Sequence, residues 1–339
     1  MQPSRIRHAL AATLILAILG WSAAFCAAAQ PAESTVAGEE LLLFQEIPSV
    51  FSASKYEQKV TEAPSAVSIV TSAEIRRYGY RTLADLLRSL RSFHLSFERT
   101  NESLGVRGFN RPGDSNSRVL LLVNGHRVND NIFQGATTGT AFILDVDLID
   151  RVEVVRGPSS SLYGNSAFFA VVNVITRRGR DLKGAEVAAE AGSHETYRGR
   201  LSYGDRLENG LEMLLSATGY DSDGNGRLYY PEFDSPDTNN GIAEGADRDE
   251  FHSLFARFSL LDFTLEGAYI GRDKGIPTAP FGTVFNDSRT KGESRQAYGR
   301  LSYDHRFAIG ITAKAVAGNV KAYTILASSC INMNRVLLG

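Results

Sequence analysis

From Ala185 onward, apolar and polar residues exchange places at a period of two. Tyr197, Gly199, Leu201 and Tyr203 stand against Arg198, Arg200 and Ser202, and Leu211, Met213, Leu215 and Ala217 against Glu212, Ser216 and Thr218. Phe263, Leu265 and Tyr269 alternate with Thr264 and Glu266, and Ile309, Ile311, Ala313 and Ala315 with Thr312 and Lys314. Side chains of a strand point alternately to its two faces, so this pattern predicts strands with one apolar and one polar side. Connections alternate between tight (Asp205 to Gly210, Leu261-Asp262) and long (Asp221 to Glu250, Asp273 to Ser294), as in an up-and-down meander. Gly-Arg-Leu-Ser-Tyr occurs twice, at Gly199 to Tyr203 and Gly299 to Tyr303, a weak repeat within that meander. About seven strands are predicted over 183–326. Apolar-out, polar-in strands with aromatics near their ends suit an antiparallel transmembrane β-barrel with a wet interior. A soluble β-sandwich shares the period and is the competing fold.

Residues 61–182 follow a mixed pattern, predicting an α+β domain with a small mixed sheet and short helices. Val67 and Ile69 begin a strand, and Thr71-Ser72-Ala73-Glu74 is a capping box opening a helix that ends near Gly79. Thr82 opens a second helix, whose Leu83, Leu86, Leu87 and Leu90 form one apolar stripe. Val119 to Val123 is a buried strand closed by the turn-forming Asn124-Gly125. Arg151 to Arg156 alternates as a half-buried strand and is stopped by Gly157-Pro158. Tyr163-Gly164-Asn165 predicts a further turn, and the β-branched run Val171 to Thr176 a further strand.

The ends differ from both. Arg5 and Arg7, the apolar run Ala9 to Leu19 and Ala27-Ala28-Ala29 predict a secretory signal over 1–29. Its removal takes Cys26 and leaves Cys330 alone, which rules out an intramolecular disulfide in the mature chain. No later apolar run reaches the roughly 18 residues of a transmembrane helix, so membrane residence would have to be as a barrel. Residues 30–60 are polar and read as an exposed tether; 327–339 lose the alternation and form an atypical tail. The 339-residue chain is 22% charged with a formal net charge of −2, which gives no electrostatic footprint for nucleic acid.

Within the first domain, Val152-Glu153, Arg156-Gly157-Pro158, Ser161, Tyr163-Gly164, Ala167 and Val172-Asn173-Val174-Ile175-Thr176 fall in a long ordered pattern. It resembles the end of the plug domain of TonB-dependent outer-membrane receptors, with Ala170 where that family usually has Gly. Val106-Arg107-Gly108-Phe109 and Val119 to Gly125 resemble two earlier elements of the same plug. The resemblance implies a plug seated in a barrel of about 22 strands, an outer-membrane location and lipid around the wall. It also implies TonB as energy-coupling partner and a ferric siderophore or cobalamin as ligand, the siderophore leading. About seven strands is a third of such a wall, so the chain is expected to be a truncated receptor, whole in its plug. A non-functional fragment and a passive porin are the rival readings.

Several residues follow from the resemblance. Ser52 to Gln58 resembles the sequence after the TonB box of cobalamin-type receptors, which puts the box at Ile47, Pro48, Ser49, Val50 and Phe51. Glu33 to Ala37 is a second candidate. Arg107 and Arg156 match plug arginines that lock onto glutamates of the barrel wall in some members, and Gly108, Glu153, Gly157, Pro158, Tyr163, Gly164 and Asn173 complete the plug motif. Apart from the resemblance, Asp221, Asp223, Asn225 and Glu232 have the spacing of a calcium loop, although a strand precedes it and Pro231 blocks the helix that an EF-hand requires. No cofactor is expected, with calcium in an extracellular loop as the alternative to an ordinary solvated Asp/Gly-rich loop. No enzyme is predicted: Gly157 to Ser161 lacks the last glycine of a nucleophile elbow, and the six histidines are scattered.

Overall fold

The computed structural model describes residues 49–50, 52, 58–59, 65–111, 113–307 and 312–328. The predicted leader, Glu33 to Ala37, Ile47, Pro48, Phe51 and the tail beyond Ser328 lie outside them.

The chain enters through a short hairpin of β1 (Ser49–Val50) and β2 (Gln58–Lys59). β3 (Ala66–Thr71) leads into α1 (Ser72–Tyr78), where Thr71 and Glu74 make both bonds of the predicted capping box and Gly79 ends the helix in the left-handed region. α2 (Leu83–Ser89) is capped in the same way by Thr82 and Asp85 and buries Leu83, Leu86 and Leu87 completely. The remaining plug strands are β4 (Phe93–Phe97), β5 (Glu102–Val106), β6 (Val119–Val123), β7 (His126–Arg127), β8 (Ile149–Arg156) and β9 (Ala170–Thr176). A one-turn α3 (Ser160–Tyr163), ended by Gly164, replaces the plain turn predicted there. The central sheet runs β3-β8-β9-β6-β7, with β6 and β9 parallel and its other pairs antiparallel. That is the mixed sheet the sequence predicts.

β8 departs from expectation. Alternation predicts a half-buried strand, yet Val152, Glu153, Val154 and Val155 are all fully buried. Val152 and Val154 pack into the main core with the α2 leucines, while Val155 joins Leu120, Leu122 and Val171 in a second cluster on the opposite face. Glu153 shares that second face and is covered by Ser52, so the segment expected to be an exposed tether is docked at this point.

After α4 (Gly179–Leu182), seven antiparallel strands form one sheet in sequence order. Between its third and fourth strands a small hairpin of β13 (Arg227–Tyr229) and β14 (Ile242–Glu244) stands in the first long connection. The sheet strands are β10 (Gly184–Gly192), β11 (Thr196–Arg206), β12 (Glu212–Ser222), β15 (Asp249–Leu260), β16 (Phe263–Gly275), β17 (Lys291–Arg306) and β18 (Thr312–Ser328). The strand count and the tight Leu261-Asp262 turn match the prediction. β18 runs two residues past Leu326, where the alternation was expected to fail.

Burial on this sheet is inverted relative to a water-soluble one. Val187, Leu201 and Leu254 are 77%, 57% and 54% exposed, whereas Ser202, Thr218 and Glu266 are 1%, 4% and 3% exposed. Apolar side chains turned outward on alternate positions of adjacent strands are what a lipid-facing wall requires, and a β-sandwich would place them inside. Among the described residues no helix is long and apolar enough to cross a membrane, a statement that leaves strands untouched.

Candidate functional site: the seam between plug and wall

The inner face of the wall lies against the plug. Leu214, Phe255, Ala268, Ile270 and Tyr298 add an apolar band to the main plug core. Around this band the contacts are polar and converge on four carboxylates.

Asp145 precedes a 3-10 turn (Val146–Leu148) of the plug and accepts hydrogen bonds from Arg198 of β11 and, at 2.8 Å, from Thr218 of β12. Arg200 approaches Asp147 at 3.4 Å. Burial and the neighbouring Asp145 push the Asp147 carboxyl above its ordinary range. Asp249 of β15 pairs with Arg272 of β16 through two bonds of 2.8 and 2.9 Å and accepts from plug Thr140 at 2.7 Å; Arg272 also donates to the Thr100 carbonyl. Asp247, in the long connection before β15, accepts from Lys274 at 2.7 Å, from the Asn225 amide nitrogen at 3.1 Å and from plug Arg99 at 3.4 Å. Burial alone would raise the Asp247 carboxyl, but the bonds from Lys274 and Asn225 outweigh it and hold it below the ordinary range. Glu266 of β16 accepts from Asn124 of the β6–β7 turn at 2.6 Å and from Tyr298 at 3.0 Å, while Arg300 donates to the Asn124 carbonyl at 3.0 Å. Charge-assisted bonds of this kind are strong and directional, so they fix register, yet each can be replaced by water when the parts separate.

Two cavities flank the plug segment 138–141. One, about 360 Å³, lies between the start of α2 and the wall, with Leu83, Phe142, Arg198 and the stacked pair Tyr220–Phe251 in its lining. The other, about 190 Å³, is a polar cleft among plug loops, where burial pushes the Glu102 carboxyl up. The first opens near the turn 193–195 and the upper ends of β12 and β15, at the end of the wall that carries the long connections. Those connections touch: Phe233 stacks on Phe285 at 4.3 Å, and Asn286 accepts from the Glu244 amide nitrogen.

The motif residues fall as follows. Arg107 and Gly108 both have positive φ in a two-residue turn closed by reciprocal Val106–Phe109 bonds, which is why Gly stands there. Gly157, at φ 127°, holds a conformation that side chains avoid, and Arg107 reaches across to the Arg156 carbonyl at 3.5 Å. Arg156 donates to Ser68 at 2.8 Å and to the Arg91 carbonyl at 3.1 Å. Among the described residues these bonds join the two arginines to plug groups, while across the seam both polarities occur: plug Asp145 and Asp147 meet wall Arg198 and Arg200, and plug Arg99 meets Asp247. Pro158, which has no N–H, sits between the Gly157 and Ser159 amides that pair with Phe169 and Ala167.

Glu153, Asn173 and Tyr163 meet at Ser52. The Ser52 amide and hydroxyl donate to one Glu153 oxygen at 3.1 and 2.6 Å, Asn173 donates to the Ser52 hydroxyl at 2.9 Å, and Tyr163 donates to the Ser52 carbonyl at 3.0 Å. Burial, then the Glu153 charge, push the Tyr163 phenol up and keep it a donor. Of the TonB-box candidate only Ser49 and Val50 are described, as β1, immediately before this anchor.

The calcium-loop residues are not gathered as a ligand set. Asp221 accepts two bonds from Arg248, Asn225 donates to Asp247, and Glu232 lies on a 3-10 turn (Pro231–Phe233). Among the described residues no group of three or more His, Cys, Asp or Glu is placed to hold a metal ion. Ser52, Asp145, Asp247 and Glu266 were not singled out from sequence. Asp145 had a signal: an acid inside the apolar run Ala141 to Leu148 is buried and must find partners.

The family model of the TonB-dependent receptor plug domain matches residues 59–171. Residues 59–171 are thus similar to the plug domain of TonB-dependent receptors. It is 29% identical over 214 residues to the vitamin B12 transporter BtuB of Vibrio vulnificus, covering 62% of this chain and 32% of that protein. It is 34% identical over 149 residues to the BtuB of Vibrio cholerae, covering 42% and 23%. The chain thus spans about a third or less of the length of these relatives. Among solved structures, the pyoverdine outer-membrane receptor FpvA of Pseudomonas aeruginosa superposes with a TM-score of 0.62 at 18% identity, over 83% of this chain and 40% of that one. The alcaligin receptor FauA of Bordetella pertussis superposes with a TM-score of 0.57 at 16% identity, over 83% and 42%. At such identities these two show the fold alone: a TonB-dependent receptor plug followed by antiparallel wall strands. The outward apolar side chains of the seven-stranded sheet agree with that fold.

Proposed function

We propose that this TonB-dependent receptor imports a large, scarce ligand across the outer membrane, with a ferric siderophore as the leading class. Ligand held over the plug on the side of the long connections would be passed inward when TonB, engaging the segment before Ser52, displaces the plug. The observation that carries this reading is the seam: around a shared apolar band the plug is tied to the wall through polar contacts at Asp145, Asp247, Asp249 and Glu266, which hold register yet can be exchanged for water. Cobalamin is the second reading, favoured because the sequence relatives are vitamin B12 transporters. Uptake of radiolabelled ferric siderophores and of cobalamin by cells expressing a receptor with this sequence, with and without TonB, tests both. Accumulation of one ligand that requires TonB is the expected result, and TonB-independent uptake overturns the mechanism.

A further inference from the structure

Every polar group of Ser52 is engaged: its N–H and O–H donate to Glu153, its hydroxyl oxygen accepts from Asn173, and its carbonyl accepts from Tyr163. The partners lie more than a hundred residues away, on β8, β9 and α3. A serine has no reason of its own to be buried, since the hydroxyl gains nothing over water unless the site is built for it.

The network continues beyond the anchor. Asn173 uses its other end, the side-chain oxygen, to accept from the Gly125 amide at 3.0 Å. Asn124, the other residue of that turn, is held by wall Glu266 at 2.6 Å and by wall Arg300 through its carbonyl at 3.0 Å. Ser52 and the wall are thus linked by one side chain and one tight turn.

We propose that Ser52 is a latch whose withdrawal loosens the plug from the wall at Asn124, with Asn173 as the positioning residue that joins the two. Ser52 leaving takes away two hydrogen bonds from the buried Glu153 carboxylate, whose other oxygen keeps Arg151 at 3.1 Å, and frees the Asn173 amide. Asn173 is then no longer fixed at both ends, and the Asn124–Gly125 turn loses its brace on the Gly125 side, leaving Thr176 and the Val174 carbonyl to hold Asn124 towards Glu266. The inference rests on the proposed import function only for what pulls the latch; the coupling itself is a property of the chain.

Amide hydrogen exchange on the full chain, without TonB, tests it. In Ser52→Ala the Gly125 amide is expected to exchange about tenfold faster, the factor for losing one bond of ordinary net strength, while amides of Leu121 and Val172 in the core keep their protection. Tyr163→Phe, which spares the fold and the Ser52 hydroxyl, should speed the Ser52 amide and, less strongly, that of Gly125. Should the Ser52 amide speed up in either variant with Gly125 unchanged, the coupling is wrong. If neither amide responds in Tyr163→Phe, there is no latch. Uptake that proves independent of TonB would remove the proposed driver without altering either exchange result.

Discussion

The plug sheet and the wall sheet are both made of β-branched and aromatic residues, yet they answer to opposite surroundings. β6 reads Val-Leu-Leu-Leu-Val and is buried along its whole length, because helices and loops cover one face of the plug sheet and the entry segment and α3 the other. β11 and β12 alternate, hiding Ser202, Ser216 and Thr218 and showing Leu201, Leu215 and Ala217. The plug is therefore stabilised by excluding water from its own interior, and the wall by presenting hydrocarbon to lipid. Between them lies a border where an apolar band continues the plug core and the charges around it are matched one by one.

The comparison predicts that equal substitutions act differently on the two sides. Leu121→Ala in the plug removes a fully buried side chain and should destabilise the plug by about 2–5 kcal/mol, read by denaturant-dependent exchange of β6 amides, with β15 and β16 unaffected. A comparable loss of protection in the wall would show that the plug is not a separate unit. Leu254→Arg on the outer face should cost about 2–4 kcal/mol if the position lies near the bilayer midplane. The same change should be nearly neutral if β15 faces water, so unfolding in lipid vesicles decides whether the outward apolar face meets a membrane.

At the border the expected effects are smaller. Asp145→Asn keeps the shape but removes the charge that holds Arg198, and about 1–3 kcal/mol of plug seating should be lost; Asp147 and Glu190, which also approach Arg198 at 3.6 and 3.2 Å, limit the damage. Cross-linking yield between cysteines placed on the two sides of the seam measures it. Asp247 gives a pH dependence of known sign. Its folded carboxyl titrates below the ordinary 3.8, so its contribution is fully present above that value and is lost as pH falls through the lower folded value. Asp247→Asn should abolish that acid step in the exchange of the first long connection, at a cost near neutral pH of about 1 kcal/mol.

Much of this was legible beforehand, for physical reasons. Caps and periods are local: Thr71 with Glu74, the leucine stripe of α2 and the alternation of β11, β12 and β16 each declare themselves within a dozen residues. Partners are not local. Glu153 looked like the solvent side of an alternating strand, because nothing near it in sequence says that Ser52 covers it from a hundred residues upstream. The three acids and one asparagine read as a calcium loop were spaced correctly for a ligand set, but spacing does not say that Arg248 and Asp247 take up Asp221 and Asn225. The plug motif itself was visible as a string while its internal reason, a glycine bent under the Arg107 side chain, was visible only in three dimensions.

Arg107 supplies the smallest effect and the sharpest test of where the border is held. Its side chain is exposed and its one described bond, to the Arg156 carbonyl, is long at 3.5 Å. If the seam depends on the contacts of Asp145, Asp247, Asp249 and Glu266, Arg107→Ala should change plug seating by no more than about 0.5 kcal/mol, the usual range for an exposed position, and cross-linking across the seam should stay as in the parent. If plug arginines instead lock onto wall glutamates, the same substitution would loosen the plug at least as much as Asp145→Asn does. The two substitutions, measured side by side in one cross-linking assay, rank the two arrangements directly, and a larger effect at Arg107 would move the anchor of the seam from Asp145 to the plug arginine.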